Sequence, residues 1–477
     1  MTVKSKFPEL FPSIVIDFAN SRRLDDKISF TRNSIATYVS NTGYLKLSNA
    51  HSPRFDHDPE TGRCLGLLLE ASTTNGYRAT NFSDGYNTAN DTSTDTGGNT
   101  IWNLSNVTFS SVNNDDPFGS QYAVQLNIDN ASSQVTSVGQ NPGNILSDTP
   151  YTASVWAKAG GSGTVLQLGI NDSNSSQVYQ NFDLINGVLG NSSLYNLASV
   201  SILNAGMKKY KNGWYRCFIT YKTPNNIGSM VKIGVVSSTA SGWLAAPAHD
   251  GNSLFLYGAQ WEQNDAMTSY IPCGNTLSTE KVTREADYAT ISGDDFDFFN
   301  HSEGTLYLES LPGIIPQENL SASINERPAV RIDDGSSNNV IEIQAGHGRY
   351  NETITSTLPT SPTYGAKFSG FTNANNASSI NWGTVNTESI TYFNSKVEGI
   401  FKDLNKSALS YSKSDFKANE SINGKLRYTN DISVGIPSGA NILRFGSNTT
   451  TSTNITINRF AYYSRRITNE EMNGLTK

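Results

Sequence analysis

The sequence predicts an all-β protein: an N-terminal docking module followed by two antiparallel β-sandwich domains of jelly-roll type. Three observations carry this expectation. Apolar residues alternate at strand spacing, as in residues 151–157 (YTASVWA), 165–170 (VLQLGI) and 254–259 (LFLYGA). Polar turn clusters such as Asp172-Ser173-Asn174-Ser175-Ser176 separate these runs. The composition, with 39 Gly, 16 Pro, 22 Tyr and 21 Phe, suits many strands and many turns. No helical periodicity of useful length competes with this pattern.

A chain of 477 residues exceeds a single core and implies about two to four domains. Residues 1–80 read as a module of short strands, with Asn41-Thr42-Gly43 as a hairpin turn between residues 36–39 and 44–47. Residues 81–280 read as a first sandwich. It opens with residues 84–100, nearly free of aliphatics, and closes with residues 256–262 and 268–272. A linker runs from Cys273 to Ile291. Residues 281–477 read as a second sandwich, with a strand at 304–309 and a last strand entering a short helix after Ile467. Thr468 is a suitable N-cap, and Glu471 three residues on completes a capping box.

Charged residues make up 16% of the chain, against about 25% in an average globular protein. The net charge is −7, with no basic run. Phosphate neutralisation needs clustered Lys and Arg, so nucleic acid is not an expected partner. No stretch approaches the ~18 apolar residues of a membrane span, and residues 1–13 show no apolar signal segment. The expectation is a chain neither conventionally secreted nor membrane-embedded. Cys64, Cys217 and Cys273 match no zinc or redox spacing and read as buried thiols.

Catalytic patterns are missing. The five His form no metal-ligand pair, and His57 in FDHDP reads as a turn residue. There is no G-x-S-x-G elbow and no P-loop. Glycoside hydrolysis needs two carboxylates at a defined separation; the nearest strand word, 340–343 (VIEI), offers Glu342 alone. The chain is therefore expected not to be an enzyme and to need no cofactor. Asp115-Asp116 and residues 292–297 (SGDDFD) are oxygen-rich enough to raise a structural calcium, but neither has the spacing of a calcium loop, and both read better as solvated turns.

Several motif words recur in a known order. Residues 28–47 (ISFTRNSIATYVSNTGYLKL) and 53–70 (PRFDHDPETGRCLGLLLE) come first. Next are 151–160 (YTASVWAKAG), 212–217 (NGWYRC), 256–272 (LYGAQWEQNDAMTSYIP) and 282–287 (VTREAD). The chain ends with 457–471 (INRFAYYSRRITNEE). This series resembles bacteriophage virion proteins of tail fibres, spikes and head fibres, which carry carbohydrate-binding-module-like and concanavalin/laminin-G-like sandwiches. Tyr257 stands where that family often has Trp, and His57 where it often has Tyr. The resemblance implies a virion surface protein that attaches to host-surface glycans by weak multivalent binding. It also implies a homo-oligomer, a trimer first, docked to other virion proteins through residues 1–80. Within the same class the alternative is a head fibre or capsid decoration protein; from another class, a glycan depolymerase. A secreted adhesin fits less well, for want of a signal segment.

Glycan binding needs exposed aromatic faces flanked by polar side chains. Trp156, Trp214, Tyr215 and Trp261 lie in alternating apolar runs and read as core. Trp243 in TASGWL, Tyr86 in DGYN and Trp382 in SINWG lie in polar, loop-like words. These three are the candidate glycan-binding residues, with Trp243 foremost.

Overall fold

The structure is a computed structural model. It describes residues 11–82, 102–111, 115–129, 136–172, 177–195, 201–223, 227–247, 251–273, 281–312, 328–336, 340–347, 363–371, 377–382, 404–412, 414, 417–422, 425–431 and 439–477. The protein is all-β, built from antiparallel sheets.

The first sandwich pairs two six-stranded sheets. One runs Ser201–Lys209, Tyr215–Lys222, Pro150–Lys158, Gly251–Glu262, Val124–Ile128, Val107–Ser111. The other runs Val188–Tyr195, Gln177–Asp183, Val165–Asp172, Ile227–Val236, Ser137–Ile145, Asn103–Ser105. Strand alternation decides which side chains meet between them. Val155 and Ala157 face Leu166, Leu168 and Ile170 across one buried cluster, joined by Val231, Ile233 and Val235. The intervening residues, Trp156 in one sheet and Gln167, Gly169 and Lys232 in the other, point to the two outer faces.

The second sandwich is assembled from both ends of the chain. In one sheet the last strand, Ile455–Tyr463, is central. It is flanked by Glu303–Pro312, by Cys64–Leu69 and by the first strand, Ile14–Asp17, with Ile16 opposite Phe460. In the other sheet Ser29–Thr31 pairs with Tyr288–Ser292, followed by Ile442–Phe445, Pro328–Asp333, Val340–His347, Thr363–Phe371 and Ala377–Trp382. Ile16, Phe18, Leu67 and Leu69 share one core with Leu308, Ile332, Leu443 and Phe460. Gly66 is fixed by this pairing: its φ is +125°, and a Cβ there would lie 2.1 Å from the Ile457 carbonyl oxygen.

Residues 1–80 were expected to stand apart as a docking module, and over residues 11–80 they do not. Four of their strands belong to the second sandwich, because Ile16, Leu67 and Leu69 have no other core to enter. The first sandwich is an insertion into the second. The chain leaves through Thr73–Asn75 and returns through Val282–Arg284, which pair with each other. The early hairpin, Ala36–Val39 with Leu45–Ser48, lies across the first sandwich, where Val39 and Leu45 cluster with Trp156, Trp214, Tyr257 and Tyr270. The apolar N-terminal residues divide between roles: Ile16 is buried, whereas Phe11 and Val15 are exposed. Phe7 and Leu10 lie outside the described residues.

The expected last helix is present as Asn469–Leu475, with the Thr468–Glu471 capping box formed. The three cysteines are buried and unpaired. His57 is corrected from a turn residue to the buried end of the strand Arg54–His57, its Nδ1 3.0 Å from the Val39 carbonyl oxygen.

Candidate functional site

Two regions of the molecule concentrate polar chemistry. The first is a buried junction where the early strands, the returning chain and the first sandwich meet. Arg54 reaches Glu70 at 2.7 Å and also binds Asp287. Arg32 reaches Asp287 at 3.0 Å, and Arg284 reaches Glu70 at 3.2 Å. Ser269, from the end of the first sandwich, donates its amide (2.7 Å) and its hydroxyl (2.6 Å) to Glu70. Burial alone would raise the Glu70 carboxyl; Arg284, Arg54 and Ser269 overcome it and bring it down to about 2. Every charged side chain here is buried and ion-paired within the cluster, which ties the early strands and the returning chain to the first sandwich.

The second region is the outer face of the sheet that contains Val165–Asp172. The opposite outer face, around Trp156, is covered by the Val39–Leu45 hairpin. On the uncovered face a strap of residues 237–247 crosses the strands. Gln167 donates to the Gly242 carbonyl at 3.0 Å and accepts from the Leu244 amide at 2.7 Å. Asn181 donates to the Thr239 and Ser241 carbonyls at 3.1 and 2.8 Å, and Gln167 and Asn181 bond each other at 2.7 Å. Leu244 is held at φ +39°, a conformation that costs a bulky side chain energy and persists only where the surroundings enforce it.

Trp243 sits at the crest of this strap. Its six-membered ring lies over Gly169, so closely that a Cβ there would fall 2.1 Å from the indole Cζ3. Tyr179 flanks it at 6.1 Å between centroids, tilted by 48°. Of the five tryptophans whose side chains are described, Trp102, Trp156, Trp214 and Trp261 are buried, and Trp243 alone keeps part of its ring in solvent. The arrangement is a fixed, partly exposed indole on a rigid sheet, ringed by Ser, Thr, Asn and Gln groups.

Of the other sequence candidates, Tyr86 lies outside the described residues. Trp382 was read as a loop residue; it ends the edge strand Ala377–Trp382 of the second sandwich, because residues 377–382 pair in register with 366–371. The structure does not bring Trp382 to Trp243. Sequence reasoning passed over Gln167, Asn181 and Lys232. Their signal was alternation: each is a polar residue at the outward position of an apolar strand. Of the two calcium candidates, Asp116 accepts from the Phe118 and Ser120 amides at 2.7 and 3.1 Å, and Asp295 pairs with Lys27 at 3.3 Å. Among the described residues no group of three His, Cys, Asp or Glu could hold a metal ion, and no helix is long and apolar enough to cross a membrane.

No protein-family model and no curated protein matches the chain. Among solved structures it is similar to the Ruminococcus gnavus IT-sialidase CBM40 bound to α2,3-sialyllactose. The identity is 13% over 37% of this chain and 84% of that one, with a TM-score of 0.25. The same module bound to α2,6-sialyllactose gives 13% identity, 37% and 85% coverage and a TM-score of 0.26. The leech intramolecular trans-sialidase gives 14% identity over 37% of this chain and 23% of that one, with a TM-score of 0.25. Likeness at this level assigns neither ligand nor activity to this chain.

Proposed function

We propose that this chain is a bacteriophage virion surface protein, a tail fibre or spike, that attaches to host-surface glycans without performing chemistry. The observation that carries the reading is Trp243, a rigidly mounted indole left partly in solvent while the other described tryptophans are buried. A flat aromatic face suits the apolar side of a pyranose, and the Ser and Thr groups of the strap suit its hydroxyls. The motif series of the sequence supplies the virion context. A single such site binds weakly, and a homo-oligomer, with a trimer as the first expectation, would multiply it. Phe11 and Val15, exposed on the early chain, are where contact with other virion proteins would begin.

The test is a glycan array probed with the purified full-length protein and with Trp243→Ala, alongside adsorption to host cells. Binding that the substitution removes, with melting temperature and oligomer size unchanged, supports the reading. Absence of any array signal would favour a head fibre or capsid decoration role. Release of oligosaccharide from host envelope would favour a depolymerase.

A further inference from the structure

We infer that the glycan held beside Trp243 carries a carboxylate, and that Lys232 is the residue that selects it. This rests on the adhesion reading above and names the ligand class of the same face. Lys232 belongs to the strand Ile227–Val236, between Val231 and Ile233, which are both in the core. Its own side chain therefore points outward. In register it stands opposite Gly169 on one side and Gly139 on the other. Paired residues of antiparallel strands project from the same face, with Cβ positions about 5 Å apart. Gly169 is the residue under the Trp243 ring. Lys232 is thus the neighbour of the indole platform, one strand over.

The six residues in this cross-strand row are Ser193, Tyr179, Gly169, Lys232, Gly139 and Asn103. None is acidic. Lys232 is partly buried, and burial pushes its ammonium below the ordinary lysine range, with no counter-charge among the described residues acting on it. Among the described residues it has neither a hydrogen-bond partner nor an ion-pair partner. Buried arginines elsewhere are answered by the protein itself: Arg32, Arg54, Arg284 and Arg331 meet carboxylates, and Arg216 donates to the Thr268 carbonyl and the Ser154 hydroxyl. A partly desolvated cation left unanswered beside an aromatic platform is complementary to an anionic ligand. A sugar ring stacked on Trp243 would present a ring carboxylate, as in a uronic or nonulosonic acid, to the neighbouring lysine. A phosphorylated or sulfated sugar is the competing source of negative charge, and the experiment separates it.

The test uses the full-length protein and saturation-transfer NMR with titration. The probes are methyl glucuronoside and N-acetylneuraminic acid, each beside its own methyl ester, with glucose 6-phosphate and glucose 6-sulfate as the other anions. The expected result is a preference for acid over ester of about ten-fold or more, the size of a charge-assisted contact. That preference should vanish in Lys232→Met and persist in Lys232→Arg, while ester binding is unchanged in both. Trp243→Ala should weaken acid and ester alike. Equal binding of acid and ester, with both dependent on Trp243, would overturn the carboxylate inference and leave the adhesion reading standing. Stronger binding of the phosphate or sulfate would overturn the carboxylate assignment in favour of those anions. No binding of any probe or of arrayed glycans would overturn both. Unchanged thermal melting of Lys232→Met and Lys232→Arg excludes misfolding as the cause.

Discussion

Arg54 and Asp287 form a fully buried ion pair across 233 residues of chain. Asp287 also takes Arg32, and Arg54 also takes Glu70. Three arginines and two carboxylates thus close the place where the inserted sandwich meets its host. A buried pair of this kind contributes little net stability compared with apolar packing, but removing one member leaves a charge stranded. Its effect is to fix one geometry between the two sandwiches.

Glu70 should make the protein sensitive to acid. Its carboxyl is held down from 4.5 to about 2 in the fold. The stabilisation is therefore fully present above about pH 4.5 and is lost as the pH falls toward 2. A change of that size corresponds to about 3 kcal/mol as an upper bound. Melting temperatures measured from pH 7 to pH 2 should fall steeply below pH 4.5. A flat profile across that window would contradict the account.

Glu70→Gln should destabilise the junction at neutral pH by about 3–5 kcal/mol, since Arg54 and Arg284 lose their shared carboxylate. Chemical denaturation of the variant reads this directly. The acid-induced drop should also shrink, because the titrating group is gone.

Removing residues 1–80 should abolish the second sandwich. The deletion takes Ile14–Asp17, Ser29–Thr31, Arg54–His57 and Cys64–Leu69 out of its sheets. Aggregation, or loss of one unfolding transition in calorimetry, is the expected result. The milder Leu67→Ala, at a fully buried position of the shared core, should cost about 2–5 kcal/mol. A truncated protein with an intact two-sandwich melting profile would refute the interleaved fold.

Trp243→Ala should weaken glycan binding by about thirty-fold, on the order of 2 kcal/mol for one aromatic anchor. Because Gln167 and Asn181 hold the strap independently of the indole, the fold should survive. On the proposed virion reading, adsorption of particles carrying the variant should fall further than single-site affinity does.

Incubating the protein with host envelope should release no reducing sugar. The proposed adhesion reading requires this, since it assigns the chain no chemistry. Sugar release that a single carboxylate substitution abolishes would refute it.

Much of this fold was legible locally. The run at 151–157 lies within the strand Pro150–Lys158, Trp261 is buried between the sheets as its alternation implied, and Thr468 caps its helix; Trp156 is also buried, but on the outer face, under the Val39–Leu45 hairpin. Alternation reports that a segment is a strand and which side chains share a face. It carries no record of which strand lies alongside. Ile16 and Phe460 are each plainly apolar, yet nothing in either word announces the other. No local word marks Arg32, Arg54 and Arg284 as members of one buried cluster, because their partners come from distant words; the segment 282–287, read as a linker, holds two members of the junction. At the candidate site, Trp243 could be found from its polar surroundings. Lys232 could not, since its significance comes from a glycine five strands earlier in the chain and from the tryptophan lying over it.

The pairing of the first strand with the last has a consequence for synthesis. Ile14–Asp17 finds its hydrogen-bond partner in Ile455–Tyr463, which leaves the ribosome hundreds of residues later. At about 5–20 residues per second, the early strands wait roughly half a minute to a minute and a half for it. The inserted sandwich, contiguous in the chain, can fold during that interval, while the surrounding sandwich closes only once Ile455–Tyr463 has emerged. A nascent chain interrupted before Ile455 carries unsatisfied strand edges, so premature termination should yield aggregates rather than a shortened working protein.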